Sequence, residues 1–140
     1  MINKYFYLVL LIFLITHVIP NEYIDNIING KLLEIETINF DKYNINDNQS
    51  TFINGLLEVD GKKAKDNFIK YFNSKDNLYD ATAAMKIAEY YYSKGSYLQS
   101  SDWFKKIPLN YSNSKHLDAA IDYYLNSLII VGKKDTANYY

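Results

Sequence analysis

Two short stretches of this chain share one pattern, a small residue followed four positions later by phenylalanine, and a third stretch opens the same way. Gly61-Lys-Lys-Ala64-Lys-Asp-Asn-Phe68 matches Ser96-Tyr-Leu-Gln-Ser100-Ser-Asp-Trp-Phe104, and Gly132-Lys-Lys-Asp-Thr-Ala137 begins a further copy. The small residues stand at 64, 100 and 137, so the intervals are 36 and 37 residues. Self-similarity at such a period argues for a stacked array of helix pairs, because one pair cannot bury its apolar face alone. A small residue early in the second helix of each pair lets it approach the first closely. An aromatic one turn later fills the wedge toward the next pair. Ala64, Ser100 and Ala137 take the small slot and Phe68 and Phe104 the aromatic one. At Ser100 this packing predicts that alanine is neutral or mildly stabilising, whereas leucine overfills the seam.

The local patterns agree with helices. Beyond Pro20, apolar residues recur at three and four, broken by short polar stretches with glycine or asparagine. In Ala81 to Lys94, Ala84, Ile87, Ala88 and Tyr91 share a stripe, Asp80 is placed to cap the start, and Gly95 to end the helix left-handed. A second helix is expected over Tyr97 to Ile107, stopped by Pro108, which lacks the amide donor. Asp118-Ala119 marks the equivalent start of the next pair. The expected class is all-α, a right-handed superhelical array of antiparallel helix pairs. The expected division is 1–20 as an N-terminal export helix, 21–51 as a divergent helical or capping segment, and 52–140 as repeats with the last one incomplete. Within 21–51, Tyr23 to Ile28 and Leu32 to Phe40 read either as a helix pair or as one capping helix, with Asp41 to Ser50 a polar connection.

At the N-terminus, Lys4 precedes an eleven-residue apolar run, Tyr5 to Ile15. A membrane-spanning helix needs roughly 20 apolar residues and a secretory h-region about 7 to 15, so the run reads as an export signal. Thr16 to Ile19 offers no pair of small residues for cleavage, which keeps a short uncleaved anchor open as the alternative. Membrane contact is expected only there.

Charge and composition exclude several functions. Net charge is −1 and arginine is absent, so no basic face exists to neutralise a row of phosphates, and nucleic acid is not an expected partner. Cysteine is absent too, which rules out disulfides and a lipid-modified cysteine. His17 lies beside the export segment and His116 reads as a solvated loop residue, so no zinc spacing can be assembled. Glu34 with Glu36, and Asp118 with Asp122, read as solvated helix faces. Asn44, Asn46 and Asn48 alternate like calcium ligands, but an EF-hand wants glycine sixth and glutamate twelfth, where Gln49 and Gly55 stand. The glycosylation sequons at Asn48 and Asn110 matter only in a eukaryotic secretory path. No cofactor, metal or catalytic residue is expected, and the chain is not expected to be an enzyme.

Lys94-Gly95-Ser96-Tyr97, Phe104-Lys-Lys-Ile107 and Asn110-Tyr-Ser-Asn-Ser114 carry a resemblance to tetratricopeptide-repeat proteins of the bacterial periplasm, especially the cell-division coordinator family that works with the Tol-Pal system. It covers about 52–140. Departures are Ser112 in place of proline, Ser100 in place of alanine, and Gly55 where an aromatic is usual.

The resemblance implies a scaffold that binds a partner protein or peptide in a groove lined by each repeat's first helix. The implied lining is Met85, Glu89 and Tyr92, then Asp122, Asn126 and Ile129. Of the residues with which cochaperones of this fold grip a terminal carboxylate, only Asn126 is present in those slots, so that specialised function is not expected. Implied structural positions are Ala64, Phe68, Ala88, Tyr91, Gly95, Ser100, Phe104, Gly132 and Ala137. Tyr90, Tyr92 and Trp103 point partly outward, as residues do at interfaces. The expected location is the bacterial periplasm or cell envelope. Alternatives of the same class are a component of outer-membrane protein assembly, or the N-terminal part of a larger envelope protein with an effector such as a peptidoglycan-binding domain. The incomplete last repeat leaves the stripe of Ile121, Leu125 and Leu128 unpartnered, so self-association or fraying at that end is expected.

Overall fold

The computed structural model describes residues 24–29, 45–74, 76–133 and 135. Residues 1–20, expected as an export helix, residues 30–44 with Glu34 and Glu36, and Ala137 lie outside the described residues. Among the described residues, every regular element is a helix: α1 (Asp47–Leu57), α2 (Gly61–Phe72), α3 (Asp80–Ser93), α4 (Tyr97–Phe104), α5 (Lys106–Asn110) and α6 (Leu117–Ile130). A helical turn at 24–28 precedes them. Packing runs along the chain, α1 on α2, α2 on α3, α3 on α4 and α4 on α6, with α5 wedged beside α3, α4 and α6.

Each boundary has a local cause. Asn46 caps α1 by accepting from the Gln49 N–H at 2.8 Å, while the Gln49 side chain accepts from the Asn46 N–H, a reciprocal capping box. This corrects the reading of Asp41 to Ser50 as a connection: from Asp47 the chain is already helical, and the proposed boundary at 52 falls inside α1. Asp60 caps α2 by accepting from the Lys63 N–H at 2.9 Å. Gly95 (φ +72°) ends α3 and Gly132 (φ +78°) ends α6, both left-handed. At each, the glycine and the residue after it donate to carbonyls three and five positions back: Gly95 to Tyr92, Ser96 to Tyr91, Gly132 to Ile129, Lys133 to Leu128. These are Schellman caps, which satisfy carbonyls the helix end would leave open. α3 and α6 are each 14 residues long, and Leu117 lies 37 positions after Asp80.

Pro108 does not stop the second helix as expected. The chain breaks at Lys105 and restarts as α5, which places Pro108 in a first turn, where no intrahelical amide partner is required. Asp80 is the first residue of α3 and makes no capping bond; the N-cap is Tyr79.

Two apolar clusters share α3. The first centres on Phe52, whose ring meets Phe68 (5.7 Å between centroids), Tyr71 (4.9 Å) and Tyr79 (stacked, 4.8 Å). Ile24, Ile53, Ala83 and Ile87 complete it. The second joins Ala84, Met85 and Ala88 of α3 to Phe104, Ile107, Ala120, Tyr124 and Leu128. Phe72 and Trp103, edge to face at 5.2 Å, touch both clusters. Gly55 has a packing reason, since a Cβ there would stand 2.9 Å from the Phe68 ring. The ring of Phe68 fills the space that an aromatic at 55 would need.

The small slot of the second pair lies in a closed seam. Ser100 is fully buried and its hydroxyl donates to the Ala88 carbonyl at 3.0 Å, tying α4 to α3. In the first pair Ala64 is half-buried. The Ser100 bond overturns the expectation that alanine is neutral there, because alanine deletes a buried hydrogen bond. Ser100→Ala should cost about 0.5–1.5 kcal/mol, and Ser100→Leu about 1–3 kcal/mol through overpacking. Urea unfolding of the purified variants checks both, and a leucine variant as stable as the parent would contradict the seam.

Candidate partner-binding site

The structure separates the six expected groove residues. Met85 is only 5 % exposed and belongs to the second cluster, so it does not line a surface. The reason is the position of α3: with the Phe52 cluster on one face and the Phe104 cluster on the next, residues 82–85 and 87–88 are all buried. Tyr92 is half-buried, its ring edge to face on Tyr97 (5.1 Å), Tyr123 (5.1 Å) and Phe104 (6.3 Å). Glu89 is half-buried and pairs with Lys86 at 2.9 Å. On α6, Asp122, Asn126 and Ile129 are exposed, Ile129 by 47 %.

The residue of α6 that meets Tyr92 is Tyr123, the neighbour of the expected lining residue Asp122. Tyr123 also stacks on Phe104 at 5.2 Å. This aromatic group joins α3, α4 and α6 and leaves Asp122, Asn126 and Ile129 on the outer side of α6. Ile130 and Val131 are exposed beside them, whereas Leu128 is buried and Ile121 and Leu125 are half-buried. The apolar surface at this end is thus Ile129 to Val131, displaced from the expected stripe.

A second polar group was not foreseen. It lies where α3 begins and the 111–116 loop passes over it, around a depression of about 360 Å³ lined by Asn77, Thr82, Asn110, Tyr111, Ser114 and His116 among others. Thr82 Oγ1 and His116 Nε2 share a hydrogen bond of 3.0 Å, and the Tyr111 hydroxyl donates to Asp80 Oδ2 at 3.1 Å. Nearby, the Tyr71 hydroxyl accepts from the Tyr79 N–H at 2.9 Å and donates to Asp76 at 3.3 Å. Lys115 donates to Asn29 at 3.3 Å, so the N-terminal turn reaches the same end. His116 is thus half-buried and bonded, not a solvated loop residue. Nothing in the spacing of residues 82 and 116 marks them as partners; only the tertiary fold brings them together.

Burial sets the electrostatics of this group. It lowers the pKa of His116 below the usual 6.5, with Lys115 and Lys86 adding to the effect and Glu89 opposing it. It raises that of Asp80, helped by Asp76 and opposed by the Tyr111 bond. The Tyr111 hydroxyl is pushed up to about 12, by burial first and then by Asp80. Asp80 is 5 % exposed and its Oδ1 has no hydrogen-bond partner among the described residues. Among those residues no group of three or more histidines and carboxylates could hold a metal ion. Comparison with family models, curated proteins and solved structures returns no match.

The two shifts have opposite signs. The folded state favours neutral His116, so its contribution is full above 6.5 and is lost as the pH falls through the lowered folded value. Asp80 penalises the fold as a carboxylate, and this penalty disappears as the pH falls through its raised value toward 3.8. Asp80→Asn should therefore raise the melting temperature at neutral pH, with the gain shrinking in acid. His116→Gln should flatten the loss of stability on acidification from pH 7 to 5. Melting curves across pH check both; an unchanged acid slope in the glutamine variant would contradict the His116 assignment.

Proposed function

We propose that the chain is a partner-binding scaffold of the bacterial cell envelope, built from tetratricopeptide-like helix pairs and holding a protein or peptide. The observation that carries this reading is the return of the same helix unit. α3 and α6 have equal length, and each ends in a glycine Schellman cap at the 37-residue interval. Arrays of this kind act through extended surfaces made by successive units. The resemblance of the repeat stretch to the periplasmic coordinator family, and the short apolar run after Lys4, support the envelope location.

The binding face on this reading is the outer side of α6, where Asp122, Asn126 and Ile129 adjoin the exposed Ile130 and Val131. An apolar patch rimmed by polar groups is the usual composition of an interaction surface. The test is photo-crosslinking in the native cell, with a photoreactive side chain at Asn126 or, as control, at exposed Asp102 on α4. The expected outcome is one dominant adduct from position 126 and none from 102. A reporter active only outside the cytoplasm, fused after Glu22, should be active. Absence of an adduct at 126, or a silent fusion, would overturn the binding or the envelope part respectively.

A further inference from the structure

A cleft of about 240 Å³ opens between the end of α1, the start of α2 and the middle of α3. It exists because its walls lack side chains. Gly61 leaves it open and Ala64 adds only a methyl group, while the Phe68 ring, packed over Gly55, forms the inner wall. The space accommodates one large apolar side chain. Leu56 and Tyr90 add to its wall, and the Tyr90 ring carries the ammonium groups of Lys65 at 5.5 Å and Lys94 at 5.9 Å.

The charges that line this cleft have one sign. Lys65 and Lys86 both line it, and no carboxylate does. Each has a carboxylate partner outside the lining, and the partner of Lys86 is the weaker competitor. Asp66, at 2.7 Å from Lys65, is mostly solvated, and Lys86 and Glu89 form an exposed i,i+3 pair. Exposed pairs of that kind contribute little and yield readily to a new carboxylate. An apolar hole under two ammonium groups complements a hydrophobic side chain with acidic neighbours.

We infer that this cleft takes an apolar side chain presented by an acidic segment of a partner protein. The inference rests on the binding reading above but uses a different face, α1 to α3 instead of α6. The segment binds through its side chains, so a free terminal carboxylate is not required.

The test uses two short peptides blocked at both ends, one with a leucine flanked by glutamates and its twin with the leucine flanked by lysines. Each is titrated into the full chain while backbone amide resonances are followed. The glutamate peptide should shift the amides of Ala64 and Tyr90, weaken with added salt, and leave Asn126 unmoved. The lysine peptide should shift none of them. Gly61→Leu fills the cleft at a position where a Cβ makes only ordinary contact with Tyr90, 3.6 Å away. Leucine also favours the helix more than glycine, so the variant should melt no lower than the parent. It should bind the glutamate peptide about tenfold more weakly or worse, and so should the surface variant Lys86→Glu. Equal binding of the two peptides, full affinity in both variants, or no shift at Ala64 and Tyr90 would each overturn the inference. Shifts confined to α6 would overturn it while leaving the scaffold reading intact; failure of the crosslink at 126 bears on that reading alone.

Discussion

Burial of α3 on two faces at once is the constraint on which the rest of the molecule depends. Ala83 and Ile87 face the cluster around Phe52, while Ala84, Met85 and Ala88 face the cluster around Phe104. A helix can serve two cores only if its neighbours come close, and α3 meets that condition with alanine at 83, 84 and 88. The hydroxyl bond from Ser100 to the Ala88 carbonyl fixes the approach of α4 to α3. Phe72 and Trp103 carry the packing from one cluster to the other without a break.

Much of this was legible in the sequence because it rests on local chemistry. The left-handed Gly95 follows from helix-end geometry, and the buried Ser100 and Phe104 follow from their place in the small-to-aromatic pattern, whereas Gly132 reads as the opening of a further copy and in the structure caps α6. The misreadings have equally local causes. The capping box of Asn46 and Gln49 sits inside a run so polar that it reads as a loop. Pro108 reads as a stop until the break at Lys105 is known, after which it stands in a new first turn.

The surface was less legible than the core. A one-residue difference around α6 decides whether position 122 or 123 turns toward α3, and apolar periodicity does not resolve a single residue in a helix so rich in large side chains. The bonds between Asp80 and Tyr111 and between Thr82 and His116 join residues 31 and 34 positions apart. Burial then shifts both titrating groups, a consequence of the packed fold that no local pattern contains. The cleft beside Tyr90 was hidden for the opposite reason: it is made of missing side chains, and Gly55 in the sequence reads as a departure from the repeat.

If α3 is the shared wall of both cores, it must be the last element to open. Amide hydrogen exchange under native conditions measures this directly. The account predicts that the amides of Ala84 to Ala88 exchange most slowly, through complete unfolding alone, while those of Ile130 and Val131 exchange fastest among the helical residues of α6 and its cap. Exchange in α3 as fast as at the end of α6, or protection in α1 and α2 that outlasts α3, would contradict it.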